Sequence, residues 1–276
     1  MRINKVLPHI VWLLCVGHIA ASENQAQNPP TNAEVKILQE RIEHRFEILD
    51  QLRKDAGFVE TIEKSIKHHE RDGTMTYDVL LVDTKAGRMA MKVYKPEQSE
   101  EDLAMSLVLN DYLGKLGIAP KLHGYLPHAQ TAKILNEQLA RDYTDASFSF
   151  AILLEFIEGA WNFKRDNYVP PEIKTWDVTD VVERMLFFQH ALDTSRIKAN
   201  DIQYLISSTG MIYLMDLDHF NWISPQNELW GYAAPFTIQE GDFARLKARY
   251  GNTPIPVNND LSFDIDYLQR LFAENL

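Results

Sequence analysis

Two acids, Asp216 and Asp218, close an apolar run over 211–215 that follows a turn at Ser208-Thr209-Gly210 and an earlier apolar run over 204–206. Asp201 stands just before the first run, so a hairpin here gathers carboxylates at one end. Carboxylates held close together repel one another and resist ionising, and the usual remedy is a metal ion. Taken singly, Asp216 and Asp218 also read as turn acids at a strand end, and Asp201 as a loop cap. Phosphoryl chemistry would need one thing more, a fixed cation elsewhere in the chain that holds the phosphate.

The elements that must position these groups follow from periodicity. Thr31 and Glu34 form a capping-box pattern that opens an amphipathic helix over 32–55, with an apolar stripe of Val35, Leu38, Ile42, Leu49 and Leu52 interrupted by Arg45. Strands are expected near 58–68, 76–83 and 88–94, the last two joined by Thr84-Lys85-Ala86-Gly87. A helix from Ser99 to about Leu116 ends at Gly117-Ile118-Ala119-Pro120. Strands near 121–126 and 148–156 flank a polar segment, 128–146, read as variable. A long helix over 178–192 precedes the hairpin, and further helices are expected near 239–250 and 264–276. The order is a small sheet with one helix, then a mainly helical part, which makes the fold class α+β.

That order, with these residues in it, resembles the protein-kinase superfamily. Met89-Ala90-Met91-Lys92 is similar to the family's third-strand Val-Ala-Ile-Lys, and Leu153-Leu154-Glu155-Phe156-Ile157-Glu158-Gly159 to the strand that enters its inter-lobe hinge. The segment 197–218 resembles the catalytic loop and metal-binding turn. Counted from the preceding helix, Asp201 falls at the catalytic aspartate; counted back from Asp216, Gln203 falls at the metal-binding asparagine. The two counts agree if the loop is three residues shorter than usual, a feature of compact bacterial effector kinases.

The resemblance implies a two-lobed fold, with a sheet lobe and hinge over 56–158 and a truncated, mainly helical lobe over 159–276. It implies ATP and Mg²⁺ as cofactors and γ-phosphoryl transfer to a hydroxyl, on a protein or alternatively on a small molecule. Lys92 would hold the nucleotide phosphates and Glu101 would be its helical partner, while the backbone at Glu155 and Ile157 would meet the adenine. Asp216, Gln203 and Asp218 would hold the metal, and Asp201 would orient the acceptor hydroxyl and take its proton.

Several family features are replaced. Ala199 and Asn200 stand where the loop's histidine and arginine belong, Leu217-Asp218 follows the metal aspartate, and only Gly73 stands in for a glycine-rich phosphate loop. A catalytically inactive pseudokinase, acting as a binding scaffold, is the alternative that these replacements leave open.

Composition limits the setting. Residues 1–21 read as a secretory signal, with Arg2 and Lys5 before an apolar run and small residues Ala20, Ala21 and Ser22 at its end, followed by a polar linker over 22–31. The run is shorter than the roughly 20 residues a membrane span needs, so stable insertion after cleavage is not expected, and the chain reads as secreted or periplasmic. Cleavage would remove the sole cysteine, Cys15, and with it any disulfide or thiol chemistry. It would also leave 26 basic groups against 39 acidic ones, a charge of −13, which disfavours nucleic acid as a partner.

Overall fold

The computed structural model describes residues 30–68, 76–96, 100–139, 148–162, 169–199, 203–225, 270 and 273. The signal-like segment 1–21, Gly73, Asp201 and almost all of the helices expected near 239–250 and 264–276 lie outside the described residues.

The capping box at Thr31 is formed: its hydroxyl accepts from the Glu34 N–H at 3.3 Å, and the Glu34 carboxylate accepts from the Thr31 N–H at 2.7 Å. It opens α1 (Asn32–Glu43), which is followed after His44 by a separate helix, α2 (Arg45–Leu52). One helix was expected across both. The break falls beside Arg45, the residue that interrupts the apolar stripe; its guanidinium donates to the Ile42 carbonyl and pairs with Glu101. The break also aims the two halves differently: Leu38, Ile42 and Ile48 pack among Val108, Leu109 and Tyr112, whereas Leu49 packs with Leu103 and Leu107.

Five strands form one antiparallel sheet: β1 (Val59–His68), β2 (Thr76–Thr84), β3 (Gly87–Tyr94), β4 (Leu122–Leu126) and β5 (Ala151–Glu155), in the order β1-β2-β3-β5-β4. Lys92 therefore sits on a central strand, opposite Val79 on one side and Ile152 on the other. The period of two along a strand puts Met89, Met91 and Val93 on one face of β3, and Ala90, Lys92 and Tyr94 on the other. The first face is closed by Leu80, Val82, Leu153 and the Ile134 and Leu135 side chains of α4 (His128–Leu139). That helix occupies most of the segment read from sequence as polar and variable. Its apolar contribution is one narrow stripe, Thr131, Ile134 and Leu135, and a single turn of pattern is easily lost among polar neighbours.

The second face lies under α3 (Glu100–Lys115), through Leu103, Ala104 and Leu107. From Leu107 to Leu113 every residue of α3 is buried, as expected of a helix enclosed on all sides. Its outer face joins a third cluster with Met185 and Phe188 of α5 (Val178–Thr194) and with Tyr204, Ile206, Ile212 and Leu214. The buried Asp111 is tolerated there because Arg41 pairs with it and Lys115 Nζ lies 2.7 Å from it. At the far edge, Gly124 has φ +146°, and a Cβ there would come 2.5 Å from the Leu52 carbonyl oxygen; its absence lets the end of α2 lie against β4.

After α5 come β6 (Ile197–Ala199), β7 (Gln203–Ile206), β8 (Ile212–Met215), a 3-10 turn (Leu217–His219) and β9 (Phe220–Trp222). β7 and β8 form the expected hairpin; β6 pairs with β9. The described residues thus form a mixed α+β fold with five α-helices and three sheets. No helix among them is long and apolar enough to cross a membrane.

Candidate functional site

The hairpin's register decides which polar residues meet. Gln203 pairs with Met215, so the first residue of β7 lies beside the residue that follows β8, Asp216. The Gln203 carboxamide is buried and donates from Nε2 to Asp216 Oδ2 at 3.2 Å. Beyond Met215 the chain turns sharply: Asp216 adopts a left-handed conformation, φ 59° and ψ 50°, which asparagine and aspartate tolerate better than most residues. The turn leads into the 3-10 segment and brings Asp216 and Asp218 onto one cation.

That cation is Lys92. Its Nζ lies 2.6 Å from Asp216 Oδ1 and 2.6 Å from Asp218 Oδ2. Tyr94, two residues further along the same face of β3, donates its hydroxyl to the other oxygen of Asp218 at 2.6 Å. The lysine also stands over the Tyr94 ring, 4.8 Å from its centre, and that ring stacks on Phe150 at 4.7 Å. Burial pushes the Lys92 ammonium towards deprotonation, but the charge of Asp218 and then the Tyr94 and Asp216 groups outweigh it and hold its pKa well above the ordinary lysine value. Burial, reinforced by the Asp218 charge, raises the Tyr94 phenol well above its ordinary value, so it stays protonated and donates.

The hairpin is fixed by the elements around it. Leu214 N–H donates to the Ile118 carbonyl at 2.8 Å, and Trp161 and Ile206 exchange backbone hydrogen bonds at 2.8 Å each. Trp176 Nε1 donates to the Ser208 carbonyl at the turn. Arg184 of α5 donates to the carbonyls of Ile212 and Gly117 and lies over the rings of Phe188 and Tyr213. Burial pushes its guanidinium down to about 10, which leaves it charged near neutral pH. The hairpin and the five-stranded sheet are therefore tied through the segment after α3 as well as through Lys92.

The structure brings Lys92, Gln203, Asp216 and Asp218 together from positions up to 126 residues apart in the chain. It puts Glu101 elsewhere: that carboxylate pairs with Arg45 of α2, and Lys92 takes its carboxylate partners from the hairpin instead. The physical reason is local, since Glu101 lies in the first turn of α3, a helix that packs against α2. Glu155 closes β5, three residues from the one opposite Lys92, a distance on the order of 10 Å. Its N–H donates to the Lys121 carbonyl at 2.8 Å, and Ile157 is buried just beyond it. Tyr94 is the site residue that sequence reasoning missed; its signal was the i, i+2 spacing from Lys92 on one strand face.

The donor chemistry suits a magnesium ion of a particular kind. Carboxylate and carboxamide oxygens are hard ligands, and Mg²⁺ is commonly held by one or two carboxylates with phosphate oxygens and water completing its shell. Among the described residues no group of three or more His, Cys, Asp and Glu side chains comes together as a cage, so an ion here would depend on such outside ligands. The two aspartates differ in access. The Asp216 side chain is 21% exposed and that of Asp218 only 3%. No known family model matches this chain, and no curated protein matches it in sequence.

Proposed function

We propose that this chain is an exported ATP- and Mg²⁺-dependent phosphotransferase of kinase-like, two-lobed build, acting on a protein hydroxyl. The observation that carries the proposal is the meeting of a third-strand lysine, Lys92, with the hairpin acids Asp216 and Asp218 at 2.6 Å each. A lysine on strand three is the setting in which a Met-Ala-Met-Lys sequence has phosphate-binding meaning. When bound, magnesium offsets phosphate charge as the γ-phosphoryl group departs. Lys92, kept cationic by its surroundings, binds phosphate oxygens. Asp216 offers the metal a carboxylate oxygen, and Gln203 orients Asp216 through its Nε2–H. Asp201 accepts the proton of the attacking hydroxyl, and the ends of β5 near Glu155 and Ile157 receive the base. The Asp216-Leu217-Asp218 ending suits a small-molecule acceptor as a variant of the same chemistry. The signal-like segment 1–21 supports export to a secreted or periplasmic location.

A second reading has its own observation. Lys92 is paired with both carboxylates inside the fold, an arrangement that would also serve a non-catalytic scaffold. Melting the protein with ATP alone, with Mg²⁺ alone and with both separates the readings. A binding site for Mg-ATP raises the melting temperature by mass action, with a stabilisation of about 2.7 kcal/mol at a ligand concentration of roughly 100 times Kd. An unchanged melting temperature at millimolar Mg-ATP overturns the nucleotide site and favours the scaffold. Transfer of label from ATP to protein, lost in Asp201→Asn, then tests catalysis itself.

A further inference from the structure

We propose that the two hairpin aspartates divide their work: Asp218, clamped by Tyr94, is the positioning residue that holds Lys92, and Asp216 is the one that meets the metal. The inference rests on the phosphotransferase reading for its metal half only. Both oxygens of Asp218 are engaged by donors inside the fold, Oδ1 by the Tyr94 hydroxyl and Oδ2 by Lys92, each at 2.6 Å. Its side chain is enclosed, and so is Tyr94, whose ring is stacked on Phe150. Phe150, Tyr94, Asp218 and Lys92 therefore form a chain of contacts that starts in the packed core and ends on the ammonium. A lysine ammonium has three N–H donors, and the two carboxylates account for two of them. Those two bonds and the Tyr94 ring fix the ammonium in place, which is what a phosphate-binding lysine requires.

Asp216 likewise has both oxygens engaged, Oδ1 by Lys92 at 2.6 Å and Oδ2 by Gln203 at 3.2 Å, but its side chain is seven times as exposed as that of Asp218. Glu101, the helix residue expected to anchor Lys92, pairs with Arg45. Asp218 thus does from the hairpin what a helix glutamate would otherwise do, and the anchor follows the metal-binding aspartate by two residues. Lysine position and metal position are consequently set by one short turn rather than by two separate elements.

The test uses the full chain and the variants Asp218→Asn, Tyr94→Phe and Asp216→Asn, with circular dichroism melts to show that each is folded. Tyr94→Phe keeps the ring on Phe150 and removes only the hydroxyl, and asparagine tolerates the backbone at 216. The first readout needs neither nucleotide nor metal: the rate at which an amine-reactive acetylating ester labels Lys92, followed by peptide mass spectrometry. Asp218→Asn should raise that rate about tenfold, the factor that one lost charge-assisted hydrogen bond corresponds to. Tyr94→Phe and the more exposed Asp216→Asn should each raise it less. The second readout is Mn²⁺ binding with a non-hydrolysable ATP analogue, measured by electron paramagnetic resonance. Asp216→Asn should abolish the nucleotide-dependent Mn²⁺ signal, while Asp218→Asn should weaken the analogue equally with and without metal. A wild-type chain that binds no Mn²⁺-nucleotide overturns the phosphotransferase reading and the metal half of the proposal together. A wild-type chain that binds it, with Asp216→Asn freeing Lys92 as much as Asp218→Asn does, overturns the division of work alone.

Discussion

On one face of β3, Met89, Met91 and Val93 are enclosed by Leu80, Val82, Leu153 and α4; on the other, Lys92 and Tyr94 reach past α3 to Asp216 and Asp218. Both faces are well buried, yet they are stabilised in different ways. The apolar face gains from every methylene removed from water and is insensitive to direction, at about 25 cal/mol per Å². The polar face depends on each charge having its partner, because a buried ion pair gains little over an apolar replacement but costs heavily when half of it is removed. A folded chain that only needed stability would do as well with two apolar faces. The retention of a lysine, a tyrosine and two aspartates on the second face is what makes it the place to look for chemistry.

The largest effect should come from breaking the polar face on one side only. Lys92→Met leaves the enclosed Asp218 without its cation and should cost about 3–5 kcal/mol in urea unfolding. Adding Asp218→Asn to it should recover most of that loss, whereas two additive losses would show that the residues do not act as a pair. On the apolar face, Met91→Ala should cost about 2–5 kcal/mol by the same measurement, with no second substitution able to restore it and no change in Lys92 labelling. Next in size is the hairpin's own turn. Gly210 has φ +83°, and a Cβ there would lie 2.9 Å from Trp176 Cγ, so Gly210→Ala should cost about 1–3 kcal/mol and loosen the polar face more than the apolar one.

The smallest effect lies at the sheet's far edge, away from both faces. Burial, together with Lys121 and Lys54 and against the pull of Glu155, lowers the His123 pKa below its ordinary value. A histidine whose folded pKa is depressed contributes stability that is present above its unfolded pKa, about 6.5, and is lost as pH falls through the folded value. The urea midpoint should therefore fall less between pH 7 and pH 5 in His123→Gln than in the wild type. Equal falls in the two proteins would assign the acid sensitivity to other groups.

Much of the positioning frame was legible in sequence, for reasons that can be named. The strands flanking Thr84-Lys85-Ala86-Gly87, the helix ended by Gly117 and the hairpin turned at Gly210 each carry both a periodic pattern and a local stop signal. Helix α4 carries a stripe of one turn only, and the break at His44 depends on where Arg45 finds a partner 56 residues away, which no local pattern encodes. At the site, Lys92, Gln203 and the two aspartates were visible as residue types at telling places. Their arrangement was not: that Lys92 would pair with Asp218 rather than with Glu101 depends on how α2 packs against α3, and the part played by Tyr94 depends on the 3-10 turn that carries Asp218 beneath it.

The proposed nucleotide site joins the polar face of β3 to the hairpin acids, with Asp216 as the residue that would hold the metal. Calorimetric titration of ATP into the full chain, with and without Mg²⁺ and in parallel with Asp216→Asn, tests it most directly. Mg²⁺ should strengthen binding to the wild type and should no longer strengthen binding to Asp216→Asn. No heat of binding in the wild type at millimolar Mg-ATP, or the same Mg²⁺ dependence in both proteins, would contradict it.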